Sequence, residues 1–147
     1  MNDDTQRVHL ENGARVAVSA SVSPGATIGA RSTIGAAVEI QPEAVIGEDA
    51  YIGRGSRIEA RSCIAANGVI GERNAGHLHA VVPGGPFVVD AHYLRDGSLW
   101  FTVGCESHPL DVWERGWEAI AARNNYHFSP VVVALFPVAR QLVMPDL

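Results

Sequence analysis

The stretch 26–71 reads ATIGARSTIGAAVEIQPEAVIGEDAYIGRGSRIEARSCIAANGVIG, and it repeats one pattern every six residues. Working outward from it, every sixth residue is aliphatic over a longer run: Leu10, Val16, Val22, Ile28, Ile34, Ile40, Ile46, Ile52, Ile58, Ile64 and Ile70. The residue two places before each of these is small in most repeats, and the residue after it is often Gly. At the next sixth position Gly76 replaces the aliphatic residue, so the pattern ends there.

A strict period of six fits neither an α-helix nor an ordinary strand, whose side-chain periods are 3.6 and 2. It fits a triangular coil, in which each repeat forms one short strand and one corner. The aliphatic residue then points inward, the small residue lets the chain turn, and successive coils stack as parallel strands about 4.8 Å apart. Residues 10–75 are predicted to form between three and four coils.

The motif aliphatic-Gly-x-x-small-x resembles the hexapeptide-repeat superfamily, whose fold is a left-handed parallel β-helix. The resemblance implies a homotrimer. The superfamily includes acyl-CoA-dependent acetyltransferases, acyl-carrier-protein-dependent acyltransferases, γ-class carbonic anhydrases and non-enzymatic members, so the fold does not determine the function.

The residue before each aliphatic position is expected to point outward. One face of the coil is polar and carries Glu39 and Arg57, while the other two carry residues such as Val45, Tyr51 and Cys63. A continuous apolar edge favours contact with another copy of the chain. The alternative is that Val45 and Tyr51 lie under the C-terminal segment.

The C-terminal half is predicted to form a small ββαβ-like α+β cap at residues 87–147, joined by a linker at 76–86 to the β-helix at 8–75. Asp96-Gly97 between apolar runs indicates a hairpin. Helical spacing of apolar residues predicts a helix at 109–124, and the β-branched run at 131–135 predicts a third strand ended by Pro137. The run at 103–110, followed by Trp113, resembles a segment of uncharacterised bacterial and phage proteins.

Composition excludes several classes of partner. The net charge of −5 argues against nucleic acid, and no apolar run approaches the length of a membrane helix. The acidic N-terminus lacks the apolar stretch of a secretion signal, and two distant cysteines do not make a disulfide framework. We therefore expect a cytoplasmic protein of a bacterium, or one encoded by a phage in a bacterial host.

Histidines decide between catalysis and binding. The superfamily's acyltransferases use a histidine base, but residues 10–75 contain none, and only His9, His77 and His79 lie near the coils. His77 and His79 would share one side of a strand, an arrangement that suits a metal ligand pair, but no metal is expected. Cys105 and His108 could form a thiolate–base pair, but a buried structural thiol is the simpler interpretation of Cys105.

The sequence thus favours a homotrimeric binding module without a cofactor, holding a small anionic, nucleotide-like molecule between subunits. The candidate ligand-binding residues are Tyr51, Arg54, Arg61, Asn67, Arg73, His77 and His79. One alternative is an acyltransferase that uses acetyl-CoA, with His77 or His79 as the base. A second alternative is a structural trimeric module of a phage particle.

Overall fold

The computed structural model describes residues 7–82, 88–104, 106–123 and 130–146. Strand β1 (Arg7–His9) precedes the repeat and lies outside its period. The parallel β-helix follows, and its short strands recur at the predicted interval: β2 Arg15–Ala17, β3 Ser21–Val22, β4 Thr27–Ile28, β5 Thr33–Ile34, β6 Glu39–Ile40, β7 Val45–Ile46, β8 Tyr51–Ile52, β9 Arg57–Ile58, β10 Cys63–Ile64 and β11 Gly68–Ile70. The fold class predicted from the period of six is confirmed.

Strands one coil apart pair in parallel and build three faces. Face 1 contains β2, β5, β8 and β11, face 2 contains β3, β6 and β9, and face 3 contains β4, β7 and β10. At the N-terminal end, β1 pairs antiparallel with β2.

The inward ladders form the core of the coils. The isoleucines from Ile34 to Ile70 are buried, whereas Leu10 and Val22 in the first coil are 38% and 40% exposed. The core is therefore densest toward the C-terminal end of the β-helix. On face 2, Arg57 lies 3.4 Å from Glu39, which is the surface ion pair expected from their outward positions.

The cap continues one face of the β-helix. Strand β13 (Val88–Leu94) pairs antiparallel with β11, with β12 (Leu78–Val81) and with β14 (Leu99–Val103), and β15 (Glu106–Pro109) completes the sheet. The predicted hairpin around Asp96-Gly97 is confirmed by β13 and β14. The segment expected as a linker at 76–86 contains β12, because its alternating residues extend the cap sheet.

Two helices cover the cap sheet. Helix α1 (Leu110–Arg123) confirms the predicted helix, but the third strand predicted at 131–135 is wrong, since those residues lie in helix α2 (Pro130–Arg140). The buried side chains of α2 are Val132, Phe136 and Ala139. Their helical spacing lets them pack beside Phe101 and Trp113, and this burial overrides the strand propensity of the valines.

Two further features concern the whole chain. Neither α1 nor α2 combines the length and apolar character needed to cross a membrane, and the described residues contain no other such segment. Cys63 is disulfide-bonded, although the spacing of the two cysteines predicted no disulfide framework; Cys105 lies outside the described residues.

Candidate functional site

A buried polar layer separates the last coil from the cap sheet. Residues alternate across β13, so Val89 and Ala91 join the apolar core under the helices while Asp90 and His92 face the coil. His79 lies opposite Asp90 on the neighbouring strand β12. The sheet therefore brings side chains from three parts of the sequence to the C-terminal end of the β-helix.

Asp90 is the centre of this layer. Its Oδ1 lies 2.8 Å from Nε2 of His77, 3.1 Å from Nδ1 of His79 and 3.2 Å from the hydroxyl of Ser62, which donates to it. Its Oδ2 is buried and has no hydrogen-bond partner among the described residues. One carboxylate oxygen thus collects all three contacts.

The surroundings keep Asp90 ionised although its side chain is 0% exposed. Burial by itself raises the pKa of a carboxylic acid. The hydrogen bonds with His77 and His79 outweigh that effect and lower the pKa of Asp90 to about 2. Asp90 is therefore a fixed negative charge inside the protein at neutral pH.

His79 combines a buried partner with partial access to solvent. Because an ionised carboxylate only accepts hydrogen bonds, Nδ1 of His79 donates to Asp90, which leaves Nε2 as the acceptor nitrogen. Nε2 has no partner among the described residues, and the side chain is 17% exposed. The hydrogen bond to Asp90 raises the pKa of His79 despite partial burial. This arrangement can accept a proton from a neighbouring group.

His77 is more enclosed, with 2% of its side chain exposed. Its Nε2 contacts Asp90, and its Nδ1 lies 2.9 Å from Nδ2 of Asn74. Both ring nitrogens are occupied, so His77 cannot act as a base toward an external molecule.

His92 is fully buried. Its Nε2 accepts a hydrogen bond from the backbone N–H of Ala65 at 3.2 Å, and its Nδ1 has no partner among the described residues. Burial and the proximity of His77 lower the pKa of His92 to about 4. It is therefore neutral at physiological pH and joins the cap to the last coil.

The other predicted ligand-binding residues lie on different corners of the coil. Arg54 and Arg73 share one corner, where the N–H of Arg73 donates to the carbonyl of Arg54. At a second corner the N–H of Arg61 donates to the carbonyl of Pro42, and at a third the N–H of Asn67 donates to the carbonyl of Glu48. Within one chain, the described part of the predicted set thus comes together as two separate pairs, Arg54 with Arg73 and His77 with His79; the side chain of His9 lies outside the described part.

Three of these residues have a backbone role. The φ angles of Arg61, Asn67 and Arg73 are 64°, 63° and 51°, in the left-handed region used at tight corners. The backbone conformation at these three residues is therefore needed to form the corners of the coil, whether or not a ligand binds.

Tyr51 lines a separate cavity of about 660 Å³ beside the C-terminal segment. Its lining residues are Tyr51, Glu72, Ala75, Gly76, Val143, Met144, Pro145 and Asp146. Tyr51 is thus partly covered by the C-terminal segment, whereas Val45 on face 3 is 37% exposed. With Glu72 and Asp146 in its wall, this cavity does not favour an anion.

The cluster does not form a metal site. Within the described ranges, no three histidine, cysteine, aspartate or glutamate side chains are arranged to hold a metal ion. His77 and His79 direct one nitrogen each to Asp90 instead of to a common point between them.

Sequence reasoning found His77 and His79 but missed Asp90, His92 and Ser62. Asp90 lies in the apolar run FVVDAHYL, where a charged residue in a predicted central strand was a usable signal. Ser62 was counted only as a small corner residue of the repeat.

Comparison with known proteins does not assign a function to the chain. No protein-family model matches the chain, and no curated protein matches it. Among solved structures, the chain is similar to the acetyltransferase domain of PglB from Neisseria gonorrhoeae FA1090, with 16% identity and a TM-score of 0.28. The match covers 44% of this chain and 49% of that one, so the chain spans about half of that domain. At this level the likeness carries no argument about activity.

Proposed function

We propose that the chain is a β-helix acyltransferase in which His79 is the general base and Asp90 orients it. The observation that carries the proposal is the hydrogen bond of 3.1 Å from Nδ1 of His79 to the buried carboxylate of Asp90. It fixes the tautomer in which Nε2 accepts a proton, and it strengthens that nitrogen as a base. The parallel β-helix and its resemblance to hexapeptide-repeat acyltransferases supply the reaction class.

The proposed reaction transfers an acyl group from a coenzyme A thioester to an amine or a hydroxyl. Neutral His79 accepts the proton of the acceptor at Nε2 while the acceptor atom attacks the thioester carbonyl. The C–S bond then breaks, and the departing thiolate takes up the proton from His79. Atoms and charge balance without an oxidant or a reductant.

The absence of a histidine within the coils does not weaken this proposal. The segment after the last coil folds back, so that Ser62 in the coil lies 3.0 Å from Nδ1 of His79 in β12. The base thus reaches the end of the β-helix from outside the repeat.

We also propose that the active form is a homotrimer with the acyl donor between subunits. The exposed Val45 on face 3 supports a contact between copies, because a partner would cover it. Closed three-fold contact would bring a neighbouring face toward the His79 end of each chain.

The second candidate is a trimeric module that binds a small anionic molecule without transforming it. It is supported by Arg54 and Arg73, which are exposed on the same corner of consecutive coils. An anion at this corner would not need His79. The first candidate therefore requires His79 for turnover, whereas the second requires Arg54 and Arg73 for binding.

The test is release of coenzyme A from acetyl-CoA with a panel of amines and alcohols. The variants are His79→Gln and Asp90→Asn, and His108→Gln is the matched control, since His108 contacts Glu106 on β15 outside the cluster. We expect kcat to fall by roughly 100-fold or more in His79→Gln and to stay unchanged in the control. Turnover that survives in His79→Gln would contradict the proposal.

Calorimetry with coenzyme A and with cyclic and linear nucleotides separates the alternatives. Nucleotide binding that is lost in Arg54→Ala and retained in His79→Gln, with no turnover, would support the binding module. No binding of either ligand would favour the structural module of a phage particle.

A further inference from the structure

We propose that Asn74 and His77 are positioning residues that limit how firmly Asp90 holds the proton on His79. They do so by directing a second N–H group at the same carboxylate oxygen. The inference rests on the proposed function only in treating His79 as a general base. The hydrogen bonds that it describes belong to the cluster and can be tested without a substrate.

The chain of contacts begins at the backbone of Arg57. Its N–H donates to Oδ1 of Asn74 at 2.8 Å, and its carbonyl accepts from Nδ2 of Asn74 at 2.9 Å. The side-chain amide thus pairs with β9 as another strand would. These two bonds define which end of the amide is oxygen and which is nitrogen.

The amide then fixes the tautomer of His77. The remaining N–H of Nδ2 points at Nδ1 of His77, 2.9 Å away, so Nδ1 must accept. The proton of neutral His77 therefore resides on Nε2, which donates to Oδ1 of Asp90 at 2.8 Å. An exposed histidine would exchange between tautomers, whereas this one is held in a single form.

His77 and His79 consequently compete for one oxygen. The hydrogen bond from His77 is the shorter of the two, 2.8 Å against 3.1 Å. Each donor neutralises part of the charge on Oδ1. Asp90 therefore attracts a protonated His79 less strongly than it would if His77 donated no hydrogen bond to it. A general base must be neutral to accept a proton, and this division keeps more of His79 neutral near pH 7.

Other charged groups face the cluster from each neighbouring element. Glu59, at the corner after β9, attracts the proton of His79, and His92 on β13 lies beside His77 with ring centroids 6.4 Å apart. Ser62 adds the third donor to Oδ1. None of these contacts Nδ1 of His77, so Asn74 at Nδ1 and Asp90 at Nε2 together fix its tautomer.

Long-range ¹H–¹⁵N NMR on the full chain tests the inference without a substrate. At pH 7 we expect the proton of His77 on Nε2 and the protons of His79 and His92 on Nδ1. In His77→Phe, which removes the donor, the pKa of His79 should rise by about one unit. In His77→Gln, whose amide can still donate to Asp90, it should stay near the wild-type value.

The experiment includes a matched control and a second variant, so that it can be interpreted even if one variant does not fold. His108→Gln should leave the titration of His79 unchanged. If His77→Phe does not fold, Asn74→Asp, which replaces the donor at Nδ1 with an acceptor, should add a proton at Nδ1 of His77 while Nε2 keeps its proton toward Asp90. If neutral His77 carries its proton on Nδ1 in the wild-type protein, the inference is overturned. An unchanged pKa of His79 in folded His77→Phe would overturn it as well. Failure of the acyltransferase proposal would show as absent turnover and would not alter these spectra.

Discussion

Nε2 of His92 accepts a hydrogen bond from the backbone N–H of Ala65, which joins the cap sheet to the last coil at 3.2 Å. The contact requires a neutral imidazole, because a protonated Nε2 would present a second donor to the same N–H. His92 is 0% exposed, so the interior offers no water to stabilise its charged form.

This relationship predicts a dependence of stability on pH. The pKa of His92 is lowered to about 4 in the folded protein, against about 6.5 when unfolded. Between those values only the unfolded chain takes up the proton, so the free energy of unfolding should fall as pH drops from 6.5 to 4. The loss is at most about 1.4 kcal/mol per pH unit.

Chemical denaturation at pH 6, 5.2 and 4.5 measures this effect. The raised pKa of His79 acts above pH 6.5, and the lowered pKa of Asp90 acts below about pH 4, so neither interferes within the window. His92→Gln retains an acceptor for Ala65 and should flatten the profile. An equally steep profile in that variant would refute the role of His92.

Gly68 makes room for His92, and this gives a steric prediction. A Cβ at residue 68 would lie 2.9 Å from Nε2 of His92 and 2.8 Å from the carbonyl oxygen of Ala65. Gly68→Ala should therefore lower the free energy of unfolding by about 1–3 kcal/mol. In α1, Gly116→Ala is the control, because its Cβ would meet nothing within 4 Å. Equal effects of the two substitutions in urea titrations would rule out the clash.

The inward and outward positions of the coil can be compared directly. Ile46 is 1% exposed and pairs with Ile28 and Ile64 in neighbouring coils, so Ile46→Asp should prevent folding by burying a charge without a partner. Glu39→Ala should change stability by less than about 1 kcal/mol, because its ion pair with Arg57 is exposed. Similar melting temperatures for both variants would mean that the assignment of faces is wrong.

The trimer can be tested through the exposed Val45. Wild-type protein should show three times the 15.7 kDa chain mass in light scattering. Val45→Glu should dissociate it, because three carboxylates would be buried in the interfaces. Ser21→Glu on the polar face 2 is the control and should stay trimeric. A trimer unaffected by Val45→Glu would place the interface elsewhere.

The β-helix could be predicted from sequence because its rule is local. Each repeat contains its own inward isoleucine and small corner residue, so the period alone gives strands, faces and register. The cap follows no such rule. The valines of α2 have strand propensity, and only their packing beside Trp113 makes them helical.

Only part of the site could be predicted, because only part of it follows from local sequence. His77 and His79 are two residues apart in sequence, and this spacing indicated a shared side of a strand. Their partner Asp90 is eleven residues further along the chain than His79 and reaches it only through the pairing of β12 with β13. That pairing depends on the continuation of the face 1 sheet beyond β11, which no local pattern in residues 76–94 indicates.

The central claim is that His79 acts on an acyl thioester, and a crystal structure with bound acetyl-CoA tests it most directly. We predict the thioester beside His79 in a cleft between subunits, with space for one acceptor atom between Nε2 and the thioester carbonyl. The same soak with His79→Gln should retain the ligand, because the histidine serves proton transfer more than binding. Acetyl-CoA bound away from His79, or no binding at millimolar concentration, would contradict the account.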